Sequence, residues 1–147
     1  MMPADYCERF SEEWELVDIV RGVAVAANTE TNSGYNNVGN YHRLAIVIDG
    51  LDLDDDLDVD IEQATSAAGA GAKAVDSNTK DITVSTGESH VIEIQNEELD
   101  VTGRFCYVNI EITTANTGGQ ANYFVAKLYA SPRYAPASTT NWDSVTD

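Results

Sequence analysis

From Leu57 to Glu62 the chain alternates without a break, with Leu57, Val59 and Ile61 on one parity and Asp58, Asp60 and Glu62 on the other. Side chains of a strand point to opposite faces in turn, so this run predicts a half-buried strand with an acidic outer face. The same period returns in Cys106 to Ile112 (CYVNIEI), where Cys106, Val108, Ile110 and Ile112 share one parity. Phe124, Ala126 and Leu128 repeat it within a strand expected over Tyr123 to Ala130. The nine apolar residues from Leu57 to Leu128 on these inward parities form the predicted core, because alternation permits only one buried face.

The rest of the chain supplies further strands and the turns between them. Leu16 to Ala27 (LVDIVRGVAVAA) is β-branched and suits a strand interrupted at Gly22. Asn28 to Asn40 holds five Asn and two Gly, which is loop chemistry. Tyr41 to Ile48 (YHRLAIVI) is a continuous apolar run of the kind covered on both faces, and Asp49-Gly50 after it is a hairpin signal. Two glycines within Ala64 to Ala74 favour a loop over a helix. Short strands are expected at Ile82 to Val84 and Val91 to Gln95, a turn at Asn96 to Asp100, and a long strand over Arg104 to Thr114. Many short strands without a long amphipathic helix predict an all-β fold, an antiparallel β-sandwich or jelly roll with extended terminal arms. The expected organisation is an N-terminal arm over 1–15, a sandwich over 16–131 and a C-terminal arm over 132–147.

A length of 147 residues suits one domain able to bury a core without staples. Asp and Glu number 25 against 8 Lys and Arg, a net charge of −17. That balance argues against binding phosphate backbones or anionic lipid, and no apolar run reaches membrane-spanning length. The N-terminus lacks the cationic start and apolar run of a signal peptide, so synthesis in a cytoplasm is expected. Cys7 and Cys106 cannot build a disulfide framework or a four-ligand zinc site, and Cys106 is expected to be a small buried hydrophobe.

The acidic run Asp49 to Glu62 invites calcium. An EF-hand loop needs Gly at its sixth position and Glu at its twelfth. Counted from Asp52 these are Leu57 and Gln63, and from Asp54 they are Val59 and Thr65, so the motif fails. Asp54, Asp55 and Asp56 remain weak candidates for another kind of calcium site, against the plainer reading of a solvated rim that guards a sheet edge. His42 and His90 lack metal-ligand spacing, and no nucleophile or phosphate-loop motif occurs, so neither catalytic residues nor a cofactor are expected. The C-terminal segment offers Arg133, Tyr134, Pro136 and Trp142, residue types that anchor protein–protein interfaces.

Asn40 to Leu44 (NYHRL), Leu57 to Val75 (LDVDIEQATSAAGAGAKAV), Glu97 to Asp100 (EELD) and the ending SPRYAPASTTNW together resemble small structural proteins of tailed bacteriophages. The resemblance runs from about Leu16 to Trp142. It implies a virion component, with capsid decoration or cementing as the leading role, at the capsid surface and without an enzymatic activity. The implied partners are the major capsid protein and further copies of the chain, a trimer at local threefold axes. A head–tail connector or tail component is the alternative within virions, and a calcium- or carbohydrate-binding sandwich is the alternative outside them. The acidic run Asp52 to Asp56 is heavier than the resemblance leads one to expect.

Overall fold

The computed structural model describes residues 14–115 and 122–132. Ten strands account for most of them: β1 (Glu15–Val25), β2 (Glu30–Asn32), β3 (Asn36–Asn37), β4 (Tyr41–Asp52), β5 (Leu57–Ala64), β6 (Lys73–Ala74), β7 (Ile82–Val84), β8 (Ser89–Gln95), β9 (Tyr107–Thr114) and β10 (Asn122–Pro132). Sheet A has the order β1-β10-β4-β8. In sheet B the antiparallel pair β9–β5 is central, with β2 and β3 sharing the outer side of β9, and β6 and β7 the outer side of β5.

Taking each of those split edges as one strand gives two four-stranded antiparallel sheets. Every connection then crosses from one sheet to the other, except the passage from β5 to β6 and β7. This is the wiring of a jelly roll. Among the described residues no helix is long and apolar enough to cross a membrane.

The nine residues expected inside, Leu57, Val59, Ile61, Val108, Ile110, Ile112, Phe124, Ala126 and Leu128, are all 0% exposed. Register explains why they meet: β5 and β9 set Val59 opposite Ile112 and Ile61 opposite Ile110. Leu44, Ile46 and Ile48 of β4 close the core from sheet A. Gln63 of β5 and Thr114 of β9 are polar residues on the inner parities, and Gln63 is satisfied. Its amide donates to the Ala74 carbonyl at 3.0 Å and its Oε1 accepts from the Asp100 N–H at 2.8 Å.

Four expectations need correction. Asp49-Gly50 is not a turn: β4 runs through both residues, pairing Asp49 with Val125 and Ser89. Glycine is required there by packing, since a Cβ on Gly50 would lie 2.9 Å from Leu53, Val84 and the Ser85 carbonyl. The chain turns instead at Leu53 to Asp56, and it passes there from sheet A to sheet B. The Asn-rich stretch is not wholly loop, because it contributes β2 and β3. Cys106 lies just before β9, half-buried with a free thiol.

Gly22 interrupts nothing. It sits in β1 beneath the Phe124 ring, where a Cβ would come within 2.0 Å of a ring carbon. The irregularity falls just after it, between Gly22 and Val25, where Ala24 takes a left-handed φ of 53°.

Candidate functional site

Because the interior is filled with apolar side chains, chemistry must reside on the outside. The outer face of sheet B is where the sequence concentrates its acid. In register, Asp60 of β5 stands directly opposite Glu111 of β9, Asp58 opposite Thr113 and Glu62 opposite Asn109. The edge strand β2 adds Glu30 opposite Thr113 and Asn32 opposite Glu111. Asp81, just before β7, accepts the Ile61 N–H at 3.0 Å.

Like charges directly across a strand pair repel, and here the protein answers with neutral donors. The Tyr35 hydroxyl donates to Glu62 Oε2 at 2.7 Å. The Asn109 amide donates to Asn32 Oδ1 at 2.7 Å and to Glu62 Oε2 at 3.3 Å. Asn32 in turn donates to Glu30 at 2.6 Å. Among the described residues the ion pairs are Lys73–Asp100, Lys80–Glu98 and His90–Glu88, and none involves this face.

The electrostatic consequence falls on the carboxyls themselves. Burial, then the charges of Asp81, Asp58 and Glu62, hold the Asp60 carboxyl above its ordinary range. Burial, then Glu30, Glu62 and Asp60, do the same to Glu111. The Tyr35 phenol is pushed up to about 12 by burial and by the Glu62 carboxylate it bonds. The face is therefore a negative field held together by amide and phenol contacts.

The corner residues Asp54, Asp55 and Asp56 are exposed between buried Leu53 and Leu57. The Asp56 N–H donates to Asp55 Oδ1 at 2.8 Å, which fixes the corner locally. Among the described residues no three Asp, Glu, His or Cys side chains converge as ligands of a metal ion. His42 is exposed, and His90 Nε2 lies 3.1 Å from Glu88. Arg133, Tyr134, Pro136 and Trp142 lie outside the described residues, as do Cys7 and all but the last two residues of the N-terminal arm.

Two clefts flank β6. One of about 460 Å³ is lined by Gln63, Lys73, Asp76, Ser77 and Asp100 among others, and one of about 380 Å³ by Asp60, Glu62, Asn78 and Asp81 among others. The turn between them holds Asp76, Ser77 and Asn78 at φ of 46°, 55° and 69°, three consecutive left-handed residues without a glycine. Lys73 packs its ammonium 4.2 Å from the Phe105 ring centre and bonds Asp100 at 2.6 Å, which holds the Asp100 carboxyl below its ordinary range together with the Gly103 N–H.

Sheet A presents a different outer face. Ile19, Lys127, Val47 and Val91 align in one row across all four strands. Arg21, Val125, Asp49 and Ser89 form the next row. On the other side lie Tyr129, Ala45 and Glu93. Val91 is 61% exposed, while Ile19, Val47 and Val125 are half-buried. The sequence hides this row, because the run Tyr41 to Ile48 looks covered on both faces. The usable signal was the outward parity of Val91 beside Ile92 and Ile94.

No protein-family model matches the chain, and no curated protein matches it. Among solved structures, it is similar to a chain from disulfide-linked Bacillus endospore appendage pili, at 15% identity and a TM-score of 0.44, over 86% of this chain and 96% of that one. The Tobacco streak virus coat protein aligns over 92% of each chain at 7% identity and a TM-score of 0.44. A Tobacco streak virus coat protein dimer aligns at 11% identity and a TM-score of 0.39, over 92% of this chain and 94% of that one. At these scores the likenesses do not bear on function.

Proposed function

We propose that this chain is a structural protein of a virion, and that it decorates and cements the capsid of a tailed phage by binding its major capsid protein. The observation that carries the reading is the jelly roll with a sealed apolar interior and two dissimilar outer faces, one acidic and one bearing an apolar row. Jelly rolls serve viral shells, lectins and cupins. A cupin works from inside its barrel, and this interior is filled by Ile61, Ile110, Phe124 and Leu128. Fold alone never fixes function, so the sequence resemblance to phage structural proteins supplies the finer part.

On this reading the protein is not an enzyme and needs no cofactor. Its acidic face points outward and keeps many copies apart before assembly. The C-terminal residues Arg133, Tyr134, Pro136 and Trp142 serve as anchors on the capsid. Purified protein mixed with undecorated shells should bind them saturably. Replacing Trp142 by Ala should lower occupancy by about tenfold or more at limiting protein, as loss of an aromatic anchor does. Equal occupancy would place the interface elsewhere, and no binding by either protein would refute the capsid role.

A further inference from the structure

We propose that the outer face of sheet A is a self-association surface, on which a second copy of this chain packs face to face about a two-fold axis. The inference does not rest on the virion reading. It starts from the row Ile19–Lys127–Val47–Val91, which places apolar side chains on three of four strands at one level of the sheet. Val125 extends the apolar surface to one side of that row, whereas Ala45 on the other side is already buried within the chain. A row of three apolar side chains at one level, interrupted only by Lys127, differs from the scattered exposed hydrophobics of an ordinary surface.

Charge selects the occupant. The chain carries −17, so two copies repel unless their acidic faces are kept apart. Sheet A's outer face is the one on which cations match acids, Arg21 and Lys127 against Asp49 and Glu93, while Arg43 of the same face stacks on the Trp14 ring at 4.7 Å. Sheet B's outer face carries Asp58, Asp60, Glu62 and Glu111 without a cation on its central strands. Packing A on A buries apolar surface against its like and sends both acidic faces to opposite ends of the pair. Packing A on B would desolvate a block of carboxylates against only a few cations, which costs more than it returns.

Size is at the low end of what an interface needs. Four strands spaced about 4.8 Å apart, three of them about 35–40 Å long and β8 about 23 Å, cover about 650 Å², near the lower bound per partner of a standard interface. An aligned or orthogonal sheet-on-sheet stack is the packing such faces adopt.

The test is sedimentation velocity on the full chain over about 1 to about 100 μM, where weak self-association becomes visible. Mass should rise with concentration and plateau at twice 15.9 kDa, because a two-fold interface closes on itself. Val91→Asp and, separately, Arg21→Glu should each weaken association by about tenfold or more, with melting curves showing the fold retained. Asp58→Asn, on the opposite face, should leave association unchanged. A monomer throughout, a plateau at three times the chain mass, or open-ended growth would overturn the proposal. So would dimers indifferent to both sheet A variants.

Discussion

Ile110 offers the sharpest test of how the two sheets hold together. It is 0% exposed on β9, pairs with Ile61 across the ladder and belongs to the one core cluster that also holds Ile46 and Ile48 of β4 and Phe124 and Leu128 of β10. Removing one methyl with Ile110→Val should cost about 0.5–1.5 kcal/mol, and Ile110→Ala about 2–5 kcal/mol, from lost transfer energy plus the cavity left behind. The upper half of that range is expected, because strands on both sides fix the walls and prevent collapse. Ile110→Asp must bury a carboxyl where no donor exists, at a cost of several kcal/mol against a total stability of about 5–15 kcal/mol. Equilibrium urea unfolding, followed by Trp fluorescence and far-ultraviolet circular dichroism, gives each value. With a slope of about 2 kcal/mol/M, the Ala variant should lose about 2 M of midpoint at unchanged slope, and the Asp variant should have no cooperative transition. An Ala variant within about 0.5 kcal/mol of the parent would refute the packing described here.

Three further outcomes are expected. Asp60 and Glu111 have folded carboxyls held above their ordinary range, so the folded state binds more protons there than the unfolded one. Their contribution to stability is therefore lost as pH rises through the folded value and regained on acidification toward the ordinary carboxylate range. Asp60→Asn should raise the melting temperature at neutral pH and flatten that dependence, and a lowered melting temperature would contradict the repulsion. Gly22→Ala should cost about 1–3 kcal/mol by pressing a Cβ into the Phe124 ring, measured by urea melts, and a neutral result would mean the ring moves freely. Changing Asp54, Asp55 and Asp56 together to Asn should leave the melting temperature within a few degrees of the parent's, because all three are exposed. Chelator should not alter the parent's melt, whereas a lowered midpoint would reveal a bound cation.

The core was legible in the sequence because strict alternation leaves one choice of face, and Leu57 to Ile61, Val108 to Ile112 and Phe124 to Leu128 all obey it. What failed was local chemistry read without its neighbours. Asp49-Gly50 has the composition of a tight turn, yet the glycine is there to clear Leu53 and Val84, which only the folded chain brings near. β2 and β3 were hidden because their residues are polar. They are held by backbone pairing to β9 and by the Asn32–Asn109 amide contact, not by buried side chains. Half of the acidic face was visible in the run Leu57 to Glu62, whereas Glu30, Asp81 and Glu111 join it from elements distant in sequence. The proposed anchors Arg133, Tyr134, Pro136 and Trp142 lie outside the described residues, so the fold places none of them.

Whether the protein coats and braces a capsid is decided by counting it. Quantitative mass spectrometry of purified particles, with the major capsid protein as internal standard, gives copies per virion. A decoration protein spread over local symmetry axes should number on the order of hundreds, whereas a ring at the portal or tail numbers about six or twelve. Hundreds of copies, released together with capsid stability when the protein is stripped, is the result this account predicts. A count near six or twelve would move the chain to the head–tail junction, and absence from the particle would contradict the account outright.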